Sequence, residues 1–474
     1  MQCSVARMVT FSKVSSKNTR VDQVMRVFLA GVLMLINVAS HAQSAELTSL
    51  DWTNLPVTPS ENQHARVLAT FVLPDTNITW INPNIDLGDL NLAAKNGYPN
   101  PNIPGIGSAL VAVPNKPGTF LMMTDRGPNV DAVTRSGKAY GKTFPLPQFT
   151  PAIVHVNLTD GKIAPVRAIP IVDARGKPVT GISNDQADEL PYAGDSSAPM
   201  PFNPNGLDTE AMQLLPNGQF IVAEEYGPSI AIVDTDGKVL VRYVPEGKSN
   251  IGVHYPVKAI LPAIYKARRP NRGFESIAVT PDGNTAYAIL QSPLGDAKDK
   301  RYAKSRVVRI LRLDITAPTN AKVTGMFLVL QSEKSAYPET DKQKDLKYSD
   351  AVALDQDHLL LLERATKKVK LIVVDLSAAT NVFIHQEAGQ LTFEREGEHL
   401  DKLSITPAQT REVFDSRDVF FQIDTDKLEG LAVLTPSVVA ISNDNDFGVG
   451  EDNTNAYPSK VWVIRLGKSL APQP

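Results

Sequence analysis

Carboxylates at recurring places are the residues of this 474-residue chain best suited to chemistry. Glu210 lies in LDTEAMQLLPNGQFIVAEEYGP from Leu207, and Glu275 in NRGFESIAVTPDGNTAY from Asn271. Asp350 lies in YSDAVALDQDHLLLLERATKK from Tyr348, and Glu429 in KLEGLAVLTPSVVAISNDNDFG from Lys427. Each acid precedes alternating apolar residues, a turn and a second apolar run. Three of the four units then end in a further acid, at Glu224-Glu225, Glu363 and Asp444. An earlier copy, IGSALVAVPNKPGTFLMMTDRGPNV from Ile106, lacks the opening acid but ends in Asp125-Arg126. Gathered carboxylate oxygens suit Ca²⁺. Left alone, like charges raise one another's pKa. Arg126, Arg272 and Arg364 stand beside these acids and can either compensate them or hold an anion bidentately.

The elements that position such residues follow from the repeat. An apolar strand, a turn and a second apolar strand, recurring along the chain, mark an all-β propeller. The innermost strand of each blade lines the central channel, so equivalent positions in different blades form a ring. Glu210, Glu275, Asp350 and Glu429 make one expected ring of acids, and Asp125, Glu225, Glu363 and Asp444 a second. Thr150–Leu158 and Val166–Val172 flank Asp160-Gly161 as a hairpin, and Ile230–Asp234 and Lys238–Tyr243 flank a second turn. Residues 82–105 and 173–206 read as loop, YPVKAILPAIYKARR as a short helix interrupted by Pro262, and 387–412 as a charged excursion on one rim. The strand in HARVLATFVLP from His64 and the strand SKVWVIRLG from Ser459 are expected to share a blade and close the ring. Five copies and that shared blade give an expectation of six or seven blades.

The first 42 residues read as an export signal: Arg20 and Arg26, the apolar run Val27–Val38, then Ser40-His41-Ala42 as a cleavage pattern. The run is short for a membrane span, so no stable span is expected after cleavage, and the location is periplasmic or secreted. Residues 43–63 form an irregular lead-in, 64–468 the propeller and 469–474 a tail. Cleavage removes Arg7, Lys13, Lys17, Arg20, Arg26 and Asp22 from 48 basic and 51 acidic residues, leaving 43 and 50 and a net charge of −7. That balance excludes nucleic acid as an expected partner and favours cations. Cys3 is the only cysteine, so thiol chemistry is absent from the body of the chain.

Other chemistries find little support. Gly227-Pro228-Ser229-Ile230-Ala231 misses the nucleophile-elbow pattern and reads as a turn. The six histidines beyond residue 42 are scattered, which argues against zinc, and His254 reads as structural. SNDNDFGVGEDN, from Ser442, is rich in oxygen donors but fails the EF-hand spacing.

Taken together, DTEAMQLLPNGQFIVAEEYGP, RRPNRGFESIAVTPDG and LEGLAVL…ISNDNDFG resemble the bacterial "esterase-like activity of phytase", or phytase-like, family over roughly Ala65 to Gly467. The resemblance implies an exported propeller that hydrolyses a small-molecule phosphate or carboxylic ester. It places Glu210, Glu275 and Glu429 at the family's acidic strand starts, and Asp125-Arg126, Glu225 and Asp444-Asn445 at its strand ends. Asp350 departs by its shorter side chain. The expected assignment is catalytic roles for Glu210, Glu275 and Glu429, and substrate binding by Arg126, Arg272 and Arg364. A Ca²⁺-type cation is expected on Asp125, Glu225, Glu363 and Asp444. The alternatives are a non-catalytic propeller that binds a ligand or protein, and a lactonase-like or sugar-oxidising propeller.

Overall fold

Each repeat folds as a four-stranded antiparallel unit in the computed structural model, which describes residues 64–471 apart from 99, 134–138, 196–197, 250–251, 398, 420–422, 424–426 and 450–456. The expected signal segment and lead-in therefore lie outside the described residues. Blade 1 comprises Ala109–Ala112, Thr119–Met123, Ala152–Thr159 and Lys162–Pro170. Blade 2 comprises Thr209–Leu214, Phe220–Glu224, Ser229–Val233 and Val239–Pro245, with Val257–Leu261 added in parallel at its outer edge. Blade 3 comprises Phe274–Val279, Thr285–Leu290, Val307–Asp314 and Lys322–Leu330. Blade 4 comprises Lys347–Ala353, His358–Arg364, Val369–Asp375 and Gln409–Asp415. Blade 5 comprises Leu428–Thr435, Val438–Asn443 and Lys460–Arg465, and takes Arg66–Val72 from the other end of the chain as its outermost strand.

The first strand of every blade lies against the first strands of both neighbouring blades, and blade 5 returns to blade 1. The described residues thus make a five-bladed propeller, not one of six or seven. The expectation counted one blade twice. The copy beginning at Lys427 is itself the blade completed by Lys460–Arg465 and Arg66–Val72.

Second strands are covered on both faces by adjacent blades, so they are almost wholly apolar rather than alternating. Phe220–Glu224 is buried at every position. Hydrogen bonds stitch every junction. Thr209 Oγ1 donates to Thr124 O at 2.7 Å, Gly273 N to Glu225 Oε1 at 3.2 Å, and Tyr348 N to Gln291 O at 2.9 Å. Leu431 N donates to Asp350 Oδ2 at 2.7 Å, and Ser442 Oγ to Gly107 O at 2.9 Å. Gly107 has no substitute here, because a Cβ would sit 1.7 Å from Asn443 O.

Both expected hairpins form, and Asp160 and Gly161 take φ of 50° and 71° at the first turn. Three segments differ from expectation, the first being 173–206, read as loop, which holds the short strand Leu190–Tyr192. Leu87–Lys95 is a helix within 82–105, also read as loop, started by reciprocal hydrogen bonds between Asp86 and Asp89. The segment read as a helix is instead the edge strand Val257–Leu261 and a 3₁₀ turn, Ala263–Ala267, separated by Pro262. The excursion before Gln409–Asp415 packs back on blade 3. There Arg309 meets Glu394 at 2.6 Å with neither side chain exposed, and donates to Ala388 O and Gln390 O.

Candidate functional site

A slip in strand register places the polar residues. In blades 2 to 5 the first strand carries one residue more than its partner at the same end, leaving Glu210, Glu275, Ser349 and Glu429 unpaired. Such bulges re-aim the extra side chain. Two residues earlier in each blade stand Asp208, Gly273, Lys347 and Lys427. Opposite them, at the end of the second strand, stand Glu225, Gln291, Arg364 and Asp444. At this end of the ring, blades 2 and 3 therefore contribute acids, and blade 4 contributes cations.

The acids of blades 1 to 3 converge. Glu210, Glu225 and Glu275 each offer a carboxylate oxygen within 4.8 Å of the others, and so do Asp125, Asp208 and Glu210. Glu275, 3% exposed, has an Oε2 without a hydrogen-bond partner, and Asp208, 1% exposed, meets only Arg126 and the neighbouring Glu210 carboxyl, which donates to it when protonated. Asp208 has an ion pair, with Arg126 Nη1 3.2 Å from its Oδ2. Asp125 accepts from Gly127 N at 2.7 Å. Burial first, and then the neighbouring carboxylates, hold Asp125, Glu210 and Glu225 well above the usual carboxylate range. Burial pushes Asp208 up to about 6, with Arg126 opposing it.

The cations face this group. Arg364 donates to Ser349 Oγ at 2.7 Å, pairs with Glu429, and lies 4.0 Å from Glu275 Oε1. Arg272 Nη1 is buried without a hydrogen-bond partner. Burial lowers the Arg272 pKa, against the nearby Glu225 and Glu275. Lys347 is pushed well below the usual lysine range by burial, then by Arg272 and Arg364. Buried cations are costly, and Glu225 and Glu275 supply the opposing charge here.

The other expected residues are otherwise engaged. Asp350 fills the strut to Leu431 and also accepts from Ala351 N at 2.8 Å, while Ser349 holds the bulge its glutamate counterparts hold. Glu363 lies one residue short of the ring position and accepts from Ser332 N at 2.8 Å and Tyr337 Oη at 3.0 Å. Asp444 meets Lys427 Nζ at 3.1 Å, and the same ammonium contacts Asp446, so a lysine stands within the oxygen-rich loop. Arg126 is held by Glu189 at 3.0 Å as well as Asp208, and by the Tyr226 hydroxyl. Ser229 accepts from Arg242 Nε at 2.6 Å and contacts Glu224, a structural role. His254 is exposed. One open groove of about 350 Å³ lies at the opposite strand ends of blades 3 and 4, lined by Asn284, Tyr287, Arg312 and Gln356, away from the acids.

Asp208, Lys347 and Lys427 join the site without having been singled out in the sequence. Their signal is the spacing: each stands two residues before a bulge. A reader who knew the bulge positions would have found all three.

A family model described as phytase-like, esterase-like activity of phytase, matches residues 102–447, and thus covers every residue of both acid sets. The chain belongs to this family. A relative from Arthroderma benhamiae, described as an uncharacterized secreted protein, is 27% identical over 192 residues, covering 34% of this chain and 36% of the relative. The chain thus spans about a third of that relative's length. Among solved structures, the PQQ-bound aldose sugar dehydrogenase of Streptomyces coelicolor is 9% identical, covering 85% of this chain and 98% of that one, with a TM-score of 0.33. The calcium-binding protein regucalcin of Agrobacterium tumefaciens is 11% identical, covering 78% and 97%, with a TM-score of 0.32. The periplasmic gluconolactonase of Pseudomonas aeruginosa is 10% identical, covering 73% and 83%, with a TM-score of 0.28. For this phytase-like chain the propeller assignment rests on its own strand order. Among the described residues no helix is long and apolar enough to cross a membrane.

Proposed function

We propose that this phytase-like chain is an exported hydrolase of phosphate monoesters, assisted by a Ca²⁺-type cation on Glu210, Glu225 and Glu275. One observation carries the reading: an acid set with an unpartnered buried oxygen lies beside Arg272 and Lys347, for which no counter-ion contact is found among the described residues. Anion and cation are thus both called for, side by side. Bound there, the cation would polarise a phosphoryl oxygen and make an adjacent water a better nucleophile. Arg272 and Lys347 would hold the remaining oxygens, and a phosphate dianion would in turn favour the charged form of Lys347. Arg364, fixed by Ser349 and Glu429, would keep Glu275 in place. A carboxylic ester is neutral at its reacting carbon and would leave both cations uncompensated, which favours the phosphate member of the family's two ester classes. Family membership, and the likeness to a secreted relative together with the Ser40-His41-Ala42 pattern, support hydrolysis and export respectively.

The test compares phosphate release from p-nitrophenyl phosphate with hydrolysis of p-nitrophenyl acetate, each in Ca²⁺ and in chelator. The expected result is Ca²⁺-dependent turnover of the phosphate alone, reduced at least ~100-fold in kcat/KM by Arg272→Gln. Equal turnover of both esters in chelator would overturn the reading.

A further inference from the structure

We propose that the acid cluster is built for two divalent cations bridged by Glu210, one with Glu225 and Glu275 and the other with Asp125 and Asp208. This deepens the cation-assisted reading above and rests on it for the first of the two ions.

The geometry comes first. Oxygens on opposite sides of one Ca²⁺ lie at most ~5 Å apart, twice the usual bond length. Each set of three meets that limit, yet the five acids do not form a single set. One ion therefore cannot serve all five, and Glu210 is the residue common to both sets. Its position at the bulge brings its side chain between the end of blade 1 and the start of blade 3.

A second observation stands at each end of the cluster. Glu275 Oε2 is buried without a hydrogen-bond donor at one end, and at the other Asp208 has, beside Arg126, only the protonated Glu210 carboxyl, whose proton a cation would replace. Asp208 has Arg126 beside its Oδ2, but that guanidinium is also held by Glu189, Tyr226 and Asn129. It can stay where it is when a cation joins Oδ1. Buried carboxylate oxygens left bare are costly, so each calls for a partner.

Charge decides between one ion and two. Five carboxylates and Glu189 against Arg126 leave five negative charges, of which two divalent cations neutralise four. Arg364 is engaged by Glu429, and Lys427 by Asp444 and Asp446. Arg272 and Lys347 then remain to attract the dianionic substrate, and the loaded site keeps a single negative charge. With one cation, the same site would carry three uncompensated negative charges once the substrate bound, and would repel it.

The experiment is calcium binding to the metal-free full chain by equilibrium dialysis, with metal content read by plasma emission. Two Ca²⁺ per chain are expected at saturation. Asp208→Asn and Glu275→Gln should each reduce the count to one, and Glu210→Gln should weaken both sites at least tenfold. Each substitution removes a repelling charge, so folding in chelator, checked by far-UV circular dichroism, should survive. A wild type that saturates at one Ca²⁺, or an Asp208→Asn count equal to wild type, overturns the bridged pair. Two bound Ca²⁺ without phosphatase activity would support the pair while removing the proposed activity. One Ca²⁺ with full activity would do the reverse.

Discussion

Asp208 and Asp444 carry the clearest consequence at the scale of single residues, since burial raises both to about 6. A carboxyl whose pKa is raised by folding binds its proton more tightly in the folded chain. Its favourable contribution is complete below the unfolded value, about 4, and is lost as pH rises through the folded value. Glu210, Glu225 and Asp125 are shifted in the same direction. The metal-free protein should therefore be less stable at pH 7.5 than at pH 5, with Asp208 contributing ~1.4 kcal/mol of that loss. Melting curves in chelator across this range check it, and Asp208→Asn should flatten the dependence. A metal-free protein that gains stability with rising pH would contradict the assignment. A bound cation reverses the trend, because it favours the ionised form.

The excursion between the third and fourth strands of blade 4 makes a testable case at the scale of elements. Arg309 and Glu394 hold it to blade 3 with no exposed surface on either side chain. Glu394→Gln leaves a buried guanidinium without its counter-charge and should cost ~3–5 kcal/mol. It should leave Ca²⁺ binding unchanged, since the pair is remote from the acids of the ring. A variant melting with the wild type would show that the excursion is anchored otherwise. Elements are also where the sequence was most and least legible. The apolar runs and turns of each repeat placed Glu210, Glu275 and Glu429 on innermost strands, because burial is written in residue type. Asp350 was misplaced by one residue, and Glu363 likewise. A bulge shifts everything beyond it to the other face, and its position depends on a partner strand that no single segment reveals. Lys347 and Asp208 were invisible for the same reason. The helix Leu87–Lys95 was announced by Asp86 and Asp89 and passed over amid Asn, Pro and Gly. The strand Val257–Leu261 was masked by a helix-like run that edge pairing overrode.

At the scale of the whole molecule, five blades close on themselves through Arg66–Val72 and Lys460–Arg465, and the polar ring sits where their first strands begin. Acids from three blades meet at one point of that ring, so a cation bound there ties blades 1, 2 and 3 together. Ligands that bind only the folded state stabilise it in proportion to the logarithm of their concentration over Kd. The most direct test is the melting temperature of the purified chain in Ca²⁺ and in chelator, for wild type and Glu275→Gln. The account predicts that Ca²⁺ raises the wild-type midpoint by several degrees, and that Glu275→Gln, still folded, loses most of that rise. A wild-type midpoint indifferent to Ca²⁺, with Glu275→Gln destabilised equally in both conditions, would contradict it.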